Sequence, residues 1–156
     1  MLDSLWPPTA VGGISLPYRL VMAPMTRDRS TPEGVPTELN AESDTAELYP
    51  ALLDALRPLG LAYLHVMHAG DEALLETLRA QWPATLILNR GGTDVPTRAK
   101  DIDNGTADLV SVAALALANP DLVERLRAGA ELNAPDPATY YGGGAAGYTD
   151  YPTYTA

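Results

Sequence analysis

The sequence contains no cysteine and no phenylalanine. Without cysteine there are no disulfides, no thiolate metal sites and no cysteine nucleophile. Without phenylalanine the aromatic content rests mostly on tyrosine, much of it near the C-terminus. No apolar run approaches the length of a membrane span. The opening Met1-Leu2-Asp3-Ser4 is acidic and lacks a long apolar run, so no signal peptide is expected. Positive charge is scarce: 10 Lys and Arg against 20 Asp and Glu give a net charge of -10. That balance argues against nucleic acid and anionic membrane as partners, and leaves room for a local anion site. The expectation is a cytoplasmic protein.

What is present suits one domain with a real core. The chain has 156 residues, 46% of them hydrophobic. Val11-Gly12-Gly13-Ile14 suggests a small hairpin. Leu20-Val21-Met22-Ala23 reads as a strand buried on both faces, stopped by Pro24. Residues from Asp28 to Asn40 read as loop. Asp44 to Arg57 reads as a helix with Leu48, Leu52, Leu53 and Leu56 on one face. Leu61–Val66 is the next strand, and Asp71 to Gln81 a helix with Leu74, Leu75 and Leu78 inward.

The stretch from Thr85 to Pro120 organises the rest. Thr85–Asn89 reads as a strand ending at Gly91-Gly92, Asp94 to Ile102 as a helix, and Ala107–Val112 as a second strand. Asn119-Pro120 reads as a helix cap followed by proline at the first helical position, opening a helix to Ala128. Two strands joined by a helix lie parallel and adjacent. Ligands of such units bind at the carboxyl ends of the strands, so the candidate site is Asn89 to Gly92 with Val112 to Leu115. The four strands predict an all-parallel α/β sheet. A closed eight-unit barrel needs roughly 200 residues, more than this chain has.

Two histidines, His65 and His68, are the only side chains that suggest a metal by their spacing. His65 lies in an apolar strand and is expected to be packed or partnered. His68 is expected on loop surface. No metal site is expected. The tyrosine-rich tail is expected to close one end of the fold.

Several motifs then resemble one family. Leu16-Pro17-Tyr18-Arg19-Leu20-Val21-Met22-Ala23-Pro24-Met25-Thr26-Arg27 is similar to the opening of the Old Yellow Enzymes, FMN-dependent ene-reductases on a (β/α)8 barrel. Gly34-Val35-Pro36-Thr37 and Ala118-Asn119-Pro120-Asp121-Leu122 continue the resemblance. So does the long motif from Tyr141 to Pro152, which resembles bacterial alkene reductases. The resemblance breaks near Glu42-Ser43-Asp44. The part before it resembles the first strand of the family, and the part after it the sixth, seventh and eighth. Strands two to five have no counterpart. The resemblance implies a four-stranded parallel half-barrel, a partial (β/α)8 barrel in one truncated domain over residues 1–156, with spatial strand order six, seven, eight, one.

The resemblance also implies the site. Pro24, Met25 and Thr26 would line the flavin, with the Thr26 hydroxyl on a flavin carbonyl. Asn89, Arg90, Gly91 and Gly92, with Ala113 and Ala114, would lie at the phosphate, and Tyr141 near the substrate. The family usually carries Gly at the position of Ala113, and often Arg or a hydroxyl residue at that of Ala114. Arg90 is the guanidinium that would compensate. FMN is the implied cofactor, NAD(P)H the reductant and an enone the substrate class. The family's carbonyl-binding His/Asn or His/His pair, its proton-donating Tyr and its flavin-contacting Arg have no counterpart, so no catalytic residue is assigned. The alternative is a non-catalytic half-barrel that folds or dimerises. Open sheet edges favour a twofold homodimer, with aggregation as the opposing expectation.

Overall fold

The computed structural model describes residues 2–23, 45–68, 70–141 and 144–155. Six strands are present among them: β1 (Thr9–Val11), β2 (Ile14–Leu16), β3 (Leu20–Met22), β4 (Tyr63–His68), β5 (Thr85–Arg90) and β6 (Leu109–Val112). Five helices accompany them: α1 (Thr45–Leu56), α2 (Glu72–Gln81), α3 (Val95–Asp103), α4 (Ala114–Ala118) and α5 (Leu122–Ala128). The chain forms two compact units. The first runs to Val21 and resumes through α1 to Ser111; the second takes Met22, Ala23 and everything described from Val112 onward.

β1 and β2 form an antiparallel hairpin across Gly12-Gly13, with Val11 opposite Ile14. The main sheet has the order β3-β6-β5-β4. β4 and β5 are parallel, as are β5 and β6. The N–H of Val110 donates to the carbonyl of Arg19, and that of Ala23 to the carbonyl of Val112. This slanted alternation is the parallel ladder pattern. The order is the one implied for strands six, seven, eight and one. The architecture is α/β with a four-stranded parallel sheet, and no closed barrel is present among the described residues.

In the first unit β5 is covered on both faces. Leu86 and Leu88 are fully buried against Leu53 of α1, Leu75 and Leu78 of α2, and Trp82. Ile87, on the opposite face, packs with Leu109 of β6 and Val11 of the hairpin. Both faces must be apolar for this, which is why the strand reads as an unbroken run. Asp108 fastens the start of β6. Its carboxylate accepts from Arg79 of α2 at 2.8 Å and from the N–H of Leu86 at 2.8 Å. α2 and α3 each begin on an aspartate cap: Asp71 accepts from the N–H of Leu74, and Asp94 from that of Thr97.

Three local expectations differ from the structure. β4 starts and ends two residues later than the apolar run suggests, at Tyr63 and His68, because pairing with Thr85–Arg90 fixes its extent. On α1, Tyr49, Leu53 and Leu56 meet the core while Leu48 and Leu52 are exposed; the stripe at i, i+4, i+7 excludes the residues one position back. α5 starts at Leu122 rather than Pro120, with no side-chain cap. The residue expected as its cap, Asn119, does other work.

In the second unit Asn119 is buried, accepting from the N–H of Asn133 at 2.7 Å and donating to the carbonyls of Leu115 and Asn133. Arg125 of α5 donates to Asp121, to the carbonyl of Glu131 and to that of Pro152. Asp121 also accepts from the N–H of Tyr154. That N–H first, and Arg125 beside it, hold the Asp121 carboxyl below its ordinary range. These bonds anchor the tail, which has little regular structure of its own. Within the tail Gly147 has a φ of +67°, and a Cβ there would stand 1.9 Å from the Thr139 hydroxyl. Only glycine meets both conditions.

Candidate functional site

Along β5 successive side chains face opposite sides of the sheet. Leu86, Leu88 and Arg90 face the helices; Ile87 and Asn89 face the other way. Arg90 is thus directed into the helical layer. Its Nε and Nη2 meet the two oxygens of Asp101 of α3 at 2.7 and 2.9 Å. Its Nη1 and Nη2 meet Glu72 of α2 at 2.6 and 3.1 Å. The Asp101 bonds, then those to Glu72, raise the Arg90 pKa further, and the Arg90 hydrogen bond lowers that of Glu72. Asp101 is buried, with a side chain 8% exposed, whereas that of Glu72 is 60% exposed.

His68 joins this cluster and is not on loop surface. It ends β4, and its side chain is 10% exposed. Its Nδ1 accepts from the N–H of Gly70 and from Arg90 Nη1, at 3.3 and 3.2 Å. That assigns the ring proton to Nε2, which stands 3.4 Å from a Glu72 oxygen. Among the described residues no group of three or more His, Asp or Glu side chains forms a metal site.

The opposite face carries a second polar set. His65 Nε2 lies 2.8 Å from the Ser111 hydroxyl. The partnered histidine expected from the sequence is therefore present, and burial lowers its pKa. Arg98 of α3 reaches to the carboxyl ends of β5 and β6. Its Nη1 donates to Asn89 Oδ1 at 3.2 Å and to the Ser111 carbonyl at 2.8 Å; its Nε donates to the Thr93 carbonyl at 3.3 Å. Arg98 and Ser111 are buried.

Of the residues expected at the site, Asn89 is buried beneath Arg98, and Arg90 is held by two carboxylates. Gly91 and Gly92 form an exposed turn, with nothing within 4 Å of where a Cβ would stand and a φ of +71° at Gly92. Such a turn is one whose backbone an anion could approach closely. In the second unit Ala113 precedes α4 and Ala114 is its first residue. Tyr141 is 61% exposed and stacks edge-on against Tyr140, with ring centroids 6.5 Å apart. Pro24, Met25 and Thr26 lie outside the described residues.

Arg98 and Asp101 were missed by the sequence reading. A signal for Arg98 existed: Val95, Arg98, Ala99 and Ile102 fall at i, i+3, i+4 and i+7, which puts a cation in the buried stripe of α3. Nothing comparable marks Asp101 as a partner of Arg90.

No family model matches the chain. A curated protein of Leishmania infantum, "Probable flavin mononucleotide-dependent alkene reductase", is 56% identical over 59 residues, 38% of this chain and 16% of that protein. A "12-oxophytodienoate reductase-like protein" of Solanum lycopersicum is 36% identical over 120 residues, 75% of this chain and 34% of that one. Among solved structures, the old yellow enzyme from Trypanosoma cruzi superposes with a TM-score of 0.65 at 36% identity, covering 73% of this chain and 31% of its own. Morphinone reductase gives 0.61 at 40% identity, covering 67% and 30%. The chain thus spans about a third or less of the length of these proteins.

Two measurements test the polar clusters. Asp101→Ala strands the Arg90 charge in a buried setting and should cost about 3–5 kcal/mol in urea unfolding. Glu72→Ala, removing an exposed partner, should cost well under half of that. Equal losses would show that burial does not set the strength of the cluster. The second test is pH dependence. His65 has a folded pKa below its ordinary 6.5, so the unfolded chain binds its proton first. Stability should fall as pH drops from 7 through 6.5 toward the lower folded value, and His65→Gln should flatten that slope. An unchanged slope in the variant would assign it to other groups.

Proposed function

The chain belongs by sequence and fold with the Old Yellow Enzyme family, and from that premise we propose that it is a shortened FMN-dependent oxidoreductase of the alkene reductase kind, with a weakened flavin site and impaired ene-reduction. The observation that carries this reading is the strand order. Strands that resemble the family's first, sixth, seventh and eighth are neighbours in one parallel sheet, which supports a binding site kept at the carboxyl end of β5. FMN, when bound, supplies two-electron redox chemistry between NAD(P)H and an activated C=C bond. The chain's own part would be binding: the Gly91-Gly92 turn for the phosphate, and the Thr26 hydroxyl for a flavin carbonyl. Positioning of an enone carbonyl requires a donor pair, and the chain offers no match to the family's pair. His65 spends its Nε2 on the Ser111 hydroxyl.

The expected result is FMN binding weaker than micromolar by fluorescence titration, and NADPH-dependent reduction of cyclohexenone or maleimide close to background. Rapid turnover with added FMN, lost in Thr26→Ala, would overturn the impairment and leave the family assignment untouched.

One observation favours the second reading, a half-barrel that pairs with a copy of itself. β4 is an edge strand, and Tyr63 and Met67 on it are 48% and 79% exposed. An edge with apolar side chains beside unpaired backbone groups is a template for strand addition. Light scattering after size exclusion should give a sharp dimer, weakened by Met67→Lys. A cooperative monomer that binds no hydrophobic dye would rule this reading out.

A further inference from the structure

We propose that two copies of the chain associate through β4 alone, antiparallel about a twofold axis at His65, giving one continuous eight-stranded sheet rather than a rebuilt barrel. This rests on the second reading above, that the chain pairs with a copy of itself. It adds which edge pairs, in which direction and in which register.

β4 is the longer of the two edge strands of the sheet. It runs for six residues, Tyr63–His68, and pairs along its whole length with β5. β3, at the other edge, has three, Leu20–Met22. A rebuilt barrel would pair β4 of one copy with β3 of the other, in parallel, so the shorter strand would limit both seams. Antiparallel pairing of β4 with itself uses the longer edge, and the ladder that is slightly more stable per residue. The edge also lacks the charges by which exposed strands repel one another. Leu61 to Met67 contains no Asp, Glu, Lys or Arg, in a chain of net charge -10. His65 has a pKa lowered by burial, so it too is uncharged at neutral pH. Two strongly acidic copies therefore meet here without formal charge.

The side-chain pattern sets the register. Tyr63, His65 and Met67 share one face of β4, and Leu64 and Val66 the other. Leu64 and Val66 pack against the leucine cluster of α1, α2 and β5. Tyr63 and Met67 are 48% and 79% exposed, and they lie two residues to either side of His65. An axis at His65 sets Tyr63 of one copy opposite Met67 of the other at both ends, a thioether against an aromatic ring each time. Leu64 then falls opposite Val66. A shift by one residue would turn the helical layer of the second copy onto the other side of the sheet. A shift by two would break the match of Tyr63 with Met67. Antiparallel pairing also places the carboxyl ends of the two sheets at opposite ends of the dimer. A ligand bound at either end would meet strand ends from one copy only.

The chain has no cysteine, so introduced thiols report this geometry directly. Opposed residues of an antiparallel pair have Cα atoms about 4.5–5.5 Å apart, within the span of a disulfide. Under mild oxidation His65→Cys should link into a covalent dimer. Tyr63→Cys and Met67→Cys should each stay unlinked alone, with about 14 Å between like positions, and should link when mixed before oxidation. Light scattering of the unmodified protein should show a dimer. A dimer in which the mixture stays unlinked, or in which Met67→Cys links as fast alone as in the mixture, overturns the β4 pairing and leaves the self-association reading in place. A monomer at all concentrations overturns both. If His65→Cys does not fold, the mixture of the two variants at exposed positions decides.

Discussion

The Arg90 guanidinium, held between Asp101 and Glu72, is the interaction on which the first unit depends. It stands at the end of a strand whose other side chains are apolar, and it ties that strand to α2 and α3 together. With Asp101 buried, neither member of that pair can lose its partner without leaving a charge in a poor environment. The cluster therefore fixes where the two helices meet the carboxyl end of β5. His68 extends it to β4. At the other end of the same strand Asp108 performs a parallel task, accepting from Arg79 and from the N–H of Leu86. Both ends of β5 are thus pinned by charge-assisted hydrogen bonds, with leucines buried between them.

That arrangement fixes which face of the sheet each charge lies on. A side chain at the end of a parallel strand can point to the helices or to the opposite face, and alternation decides which. Arg90 takes the helix side. The face that carries Asn89, Ser111 and His65 receives its positive charge from Arg98, which comes from the following helix. The two arginines are thus held on opposite faces of β5, although only one of them adjoins the glycine turn in sequence.

The family resemblance and the short span have separate consequences. Similarity covers up to 75% of this chain, and the neighbouring order of the strands is the one that the family resemblance implies. Yet a parallel sheet of four strands leaves β4 at an edge, and Tyr63 and Met67 uncovered. The polar groups around β5 find their partners on α2, α3, β4 and β6, all of which the short span includes.

The sequence by itself determined the parallel sheet, its strand order, the hairpin, the glycine turn and the helices that follow β4 and β5. These follow from local rules: apolar runs and turn residues act over a few positions, and motif resemblance carried the order. The partnered state of His65 was also legible, since an imidazole in an apolar strand needs a partner. Only the tertiary structure decided that Arg90 faces carboxylates rather than solvent or phosphate. Only it showed that Asn119 bridges to Asn133 instead of capping a helix, and that His68 is covered. In each of these the partner lies between 11 and 22 residues away in the chain. The direction of such a side chain is set by strand alternation and by charges brought in from other elements, and neither is written in the residue's own neighbourhood.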